Sequence, residues 1–157
     1  MTTRKGLHDR GASIMNQLGR NLRTLRITML LGIIFDWTIA ILVLSLPVRT
    51  AALWGITDAG ELEVWRLCGL LLAIPALFYI MTVIDIKRNV SIVAAAIVGR
   101  ICLGAFLVAH VIFSAAPVSW LALGLGNLGF AAMHSIFFKL SDFDFWPILR
   151  RAGNPPF

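Results

Sequence analysis

Apolar residues fall into four long blocks along the chain, Ile27 to Leu46, Val64 to Ile84, Ser91 to Phe113 and Val118 to Phe138, with polar residues gathered between them. A helix needs about 20 mostly apolar residues to cross a bilayer at a rise of about 1.5 Å each, and every block reaches that length. The blocks lack the polar–apolar alternation of a membrane barrel strand, and in lipid a helix satisfies its own backbone. The pattern therefore predicts an all-α, membrane-embedded antiparallel four-helix bundle. Its second and third connections, Asp85 to Val90 and Ser114 to Pro117, are short enough to make the flanking helices antiparallel neighbours. The first, Pro47 to Glu63, carries Pro47, Gly55, Asp58, Gly60, Glu61 and Glu63 and reads as turn with an acidic bias. The chain shows no internal repeat, which argues against an inverted-repeat transporter core.

Ahead of the first block, Ile14, Met15, Leu18, Leu22 and Leu25 recur at helical spacing, with Arg20, Arg23 and Arg26 elsewhere on the turn. Such a helix is expected to lie in the headgroup plane, its arginines drawn to anionic lipid; a plain basic cluster that only sets topology is the alternative. The expected organisation is a basic arm with this interfacial helix (1–26), a transmembrane domain (27–138 with spans 27–46, 64–84, 91–113 and 118–138) and an aromatic tail (139–157). The tail, from Ser141 to Arg151, either folds back on the headgroups or serves as a docking strip.

Composition agrees with the pattern: 59% of the 157 residues are hydrophobic and 14% charged, with mean hydropathy +0.85, outside the range of soluble domains. Charge adds orientation. Arg4, Lys5, Arg10, Arg20, Arg23, Arg26, Lys87, Arg88, Lys139, Arg150 and Arg151 fall on one side, against Arg49 and Arg66 on the other. The positive-inside rule then places both termini in the cytoplasm. The formal net charge of +6 is a topology signal, and no nucleic-acid partner is expected. The first span is too long for a signal peptide and is expected to stay as an uncleaved anchor.

Depth singles out the candidate chemistry. Asp36 lies nine residues beyond Ile27, and Arg100 nine residues beyond Ser91. Both blocks start from the same side, so both residues sit about 14 Å deep at the helical rise. Asn127, eleven residues from Phe138 on the last span, comes to about 16 Å, and Pro75, nine from Ile84, to about 14 Å. An unpaired charge at a helix centre costs at least about 2.5–3.5 kcal/mol, so Asp36 and Arg100 are expected to pair, with Asn127 or the carbonyl released by Pro75 as a further partner. The pair reads either as structural glue or as a proton or anion site.

The remaining candidates are weaker in pattern. His110 and His134 differ in depth by about 20 Å, too far for one haem between them. No cofactor is predicted, although a singly ligated haem or a quinone stays open. No metal site has the required spacing. Cys68 and Cys102 read as small buried hydrophobes. Ala95-x-x-x-Gly99 and Ala122-x-x-x-Gly126, extended by Gly104, Gly124 and Gly129, read as helix-packing strips, inside the hairpin of the last two spans or toward another membrane protein. Trp54, Trp65, Trp120 and Trp146 match interfacial belts, whereas Trp37 lies deep beside Asp36 and needs an acceptor.

Tyr79 with Asp85-Ile-Lys87-Arg88, Gly99-Arg100 and Gly126-Asn127 resemble the uncharacterised bacterial four-helix membrane proteins of the DoxX-like kind, over spans two to four. The resemblance implies a bacterial inner membrane and carries no catalytic residue. The expected function is a non-enzymatic accessory or assembly subunit that binds other membrane proteins or itself. The alternatives are a small transporter or channel using Asp36, Arg100 and Asn127, and a redox or lipid-modifying enzyme using His110, His134 or a quinone.

Overall fold

A computed structural model describes residues 4–114 and 116–143, with side-chain surroundings from residue 13 onward apart from 59 and 60. Five helices make up the regular structure of these residues: α1 (Arg4–Ser45), α2 (Pro47–Leu53), α3 (Ala59–Ile84), α4 (Val90–Ser114) and α5 (Ser119–Leu140). Four of them, α1, α3, α4 and α5, are long and apolar enough to cross a membrane, and the protein is an antiparallel, membrane-embedded helical bundle. Packing is extensive between α4 and α5 and between α1 and α3, moderate between α1 and α5, and thin between α3 and α4. The helices therefore run α3–α1–α5–α4 around the bundle, with a loose seam closing the ring.

The amphipathic stretch before the first span is helical but is no separate element. Between Arg20 and Leu31 the sequence has neither Gly nor Pro, so nothing interrupts the ladder and α1 runs on through it. Its apolar face also divides. Ile14 and Met15 are exposed, whereas Leu25 and Met29 are buried with Ile86, Val93, Ile97 and Phe138 in the main core cluster. Asn21 Nδ2 donates to the Leu140 carbonyl at 2.7 Å, satisfying an orphan acceptor at the end of α5. From Leu22 on, this face packs on protein, because the ends of α3 and α5 offer it an apolar shelf. Arg20, Arg23 and Arg26 are exposed, and Arg23 and Arg26 border a groove shared with Lys87 and Asp85.

The first connection is more ordered than its turn residues imply. Pro47, pre-set for the first helical turn, opens α2, which lies over the far end of the bundle. Trp65 Nε1 donates to Thr50 Oγ1 at 3.0 Å and Trp120 Nε1 to the Trp54 carbonyl at 3.1 Å. The rings of Trp54, Trp65 and Trp120 meet one another with centroids 5.3–6.0 Å apart. The expected belt is thus a packed cap. Gly55 holds it in place: its φ is 72°, and a Cβ there would lie 2.6 Å from Pro117 Cγ, so only glycine serves.

The small-residue strips divide between the two expected surfaces, and the expectation of buried cysteines is corrected. The close approach of α4 and α5 is made by Gly104 and Gly124, where a Cβ on Gly104 would lie 2.8 Å from the Gly124 carbonyl oxygen. Ala95, Gly99 and Ala122 face outward, and Gly126 turns toward Phe35 of α1. Cys68 and Cys102 are exposed, and Trp37 points out of the bundle. The cause is common to all: with lipid as apolar as the core, hydrophobicity does not mark which side of a span is inside. The expectations for Trp146 and for the tail beyond Phe143 lie outside the described residues.

Candidate functional site

The structure brings Asp36, Arg100 and Asn127 together at the centre of the bundle. Arg100 Nη2 donates to Asp36 Oδ2 at 2.6 Å and to the Gly32 carbonyl at 3.2 Å, and Nη1 donates to Asn127 Oδ1 at 3.1 Å. Asp36 is 7% exposed and Arg100 4%. α1, α4 and α5 are thus clasped by one guanidinium. Asn127 is itself held by donation from Nδ2 to the Leu123 carbonyl at 2.9 Å. Pro75 takes no part: the third acceptor is the Gly32 carbonyl, one helical turn before Asp36 on α1.

Gly32 is the residue that sequence reasoning missed. A Cβ there would lie 2.9 Å from Arg100 Nη2 and 3.4 Å from His134 Cε1, so the absence of a side chain is what lets both groups reach the α1 backbone. The signal available was its place four residues from Asp36 on the same face. Aromatic rings complete the surroundings, with Arg100 Cζ 5.1 Å from the Phe130 ring centroid and 6.0 Å from that of Tyr79. Such contacts favour a cation once water is excluded.

The two histidines lie apart. His134 is 1% exposed below the clasp, its ring beside the backbone of Gly32 and Thr28 on α1. His110 sits near the tryptophan cap, stacked on Phe106 and edge-on to Trp120. Among the described residues no cluster of three or more His, Cys, Asp or Glu forms a possible metal site.

Between the clasp and the tryptophan cap lies a cavity of about 310 Å³. Asp36 and Asn127 line its inner end, Trp65 and Trp120 its outer end, and apolar side chains such as Val43, Leu72 and Leu107 its walls. A second space, of about 480 Å³, lies along the α3–α4 seam nearer the basic end, between Pro75, Phe78 and Tyr79 on one helix and Ser91 and Ala95 on the other.

No protein-family model, curated protein or solved structure matches the chain.

Proposed function

We propose that this chain is a non-enzymatic accessory or assembly subunit of a larger membrane complex, set in a bacterial inner membrane with both termini cytoplasmic. The observation that carries this reading is the outward exposure of Ala95 and Gly99 on α4, with nothing within 4 Å of a Cβ placed on Gly99. Helices associate in lipid through close backbone approach and van der Waals contact, which small residues permit. This strip adjoins the groove at the thin α3–α4 seam, and the two together fit a transmembrane helix of another protein. The cation distribution supports the orientation, and the DoxX-like resemblance agrees with the membrane. The exposed Arg20, Arg23 and Arg26 suit anionic headgroups. Transport through the midplane groups is disfavoured, because Arg100 already has three acceptors in the chain itself.

The test is extraction of the tagged full-length chain in mild detergent, followed by mass spectrometry of what accompanies it. A specific membrane protein is expected with the wild type and lost with Ala95→Leu or Gly99→Leu, at unchanged thermal midpoint. Recovery of a bare monomer from native membranes, or undiminished capture by both variants, refutes the reading.

A further inference from the structure

The clasp does not use all of its polar atoms. Asp36 engages Arg100 through Oδ2, and Oδ1 takes no hydrogen bond from the described residues, although the side chain is more than nine-tenths buried. Asn127 Nδ2 gives one hydrogen to the Leu123 carbonyl, and an amide nitrogen carries two. Both residues line the cavity under the tryptophan cap. Its inner end therefore offers one strong acceptor and one donor side by side, and its walls are apolar.

We propose that this cavity binds a neutral, lipid-soluble alcohol, with the hydroxyl at Asp36 and Asn127 and the hydrocarbon body between α1, α3, α4 and α5. A hydroxyl is the smallest group that donates and accepts at once, which matches a carboxylate oxygen beside an amide N–H. Water alone does not match the rest of the space. At about 30 Å³ per molecule the cavity has room for about ten water-sized groups. An ordered water wants two to four polar partners, and only one end supplies them. The outer end is closed to polar contact as well, since the Trp65 and Trp120 indole N–H groups are taken by Thr50 and by the Trp54 carbonyl. Entry is from the side. Leu71 and Leu103, on the lining from α3 and α4, are exposed at the loosely packed seam, so a ligand dissolved in the bilayer arrives without crossing water.

Charge selects against acids. Asp36 and Arg100 neutralise each other, and a carboxylate ligand would meet Asp36 Oδ1 with like charge in a dry site.

The experiment measures binding of tritiated 1-decanol to the full-length protein in lipid nanodiscs, with unlabelled competitors that keep the chain and change the head. Decanol is expected to bind saturably at one per protein. Methyl decyl ether, which accepts but does not donate, should compete about ten- to a hundredfold less well, the worth of one hydrogen bond to a carboxylate. Decane and decanoate should compete more weakly still. Leu72→Trp, which fills the cavity away from the clasp, should abolish binding without lowering the thermal midpoint. Equal competition by decanol and decane, or binding that does not saturate, overturns the proposal. The competitor series needs only wild-type protein, so it decides the matter even where the variant misfolds.

Discussion

Neutralising one member of the central pair should destabilise the bundle far more than its size suggests, and neutralising both should cost little more than neutralising one. In Asp36→Asn the guanidinium keeps the Gly32 carbonyl and Asn127 but loses its counter-charge at a position 4% exposed. Removing one partner of a buried pair costs about 3–5 kcal/mol. Insertion of a lone charge at a helix centre costs about 2.5–3.5 kcal/mol. The two routes overlap near 3 kcal/mol, and Arg100→Gln, which strands the carboxylate, belongs in the same range. The double variant strands no charge and forfeits only the pair, so we expect about 3 kcal/mol rather than the roughly 6 of simple addition, a coupling of about 3 kcal/mol. Reversible unfolding in mixed micelles with rising dodecyl sulfate, followed by intrinsic tryptophan fluorescence, supplies the four free energies of the cycle. Additivity within about 0.5 kcal/mol would show that the two charges do not sense each other and would refute the clasp.

Gly104→Ala should destabilise by about 1–3 kcal/mol, because its Cβ meets the Gly124 backbone and Leu128. Gly99→Ala, with open space around it, should be neutral or gain up to about 1 kcal/mol from helix propensity; the same unfolding assay reads both, and equal effects would contradict the assigned faces.

The spans and the midplane level of the site were legible because both rest on length along a helix, which counting reaches directly. Asp36 and Arg100 stand equally far from the ends of their blocks, and the structure joins them. Facing was not legible. Ala95-x-x-x-Gly99 and the Gly104–Gly124 contact are equally small-residue patterns in equally apolar helices, and only three-dimensional packing separates the outward strip from the inward one. Gly32 escaped for a related reason: a glycine in a span carries no chemistry until it is known which side chain crosses its backbone. The tryptophans at the far end were legible as residues near the ends of their spans, but their mutual packing depends on α2, whose opening Pro47 fits a turn as well as a first helical residue.

The clasp and the cavity also explain each other's position. The guanidinium ties α1, α4 and α5 but makes no hydrogen bond to α3, which leans on α1 and on the tryptophan cap instead. The thin seam therefore falls between α3 and α4, one helix inside the polar network and one outside it. A lateral entrance elsewhere would have to part α1 from α3, which pack extensively, or helices that the ion pair or the Gly104–Gly124 contact holds together. At this seam, widening the gap leaves each midplane hydrogen bond intact. The arrangement separates the part of the bundle that must stay rigid, to keep two charges paired in hydrocarbon, from the part that is free to admit a molecule from the bilayer.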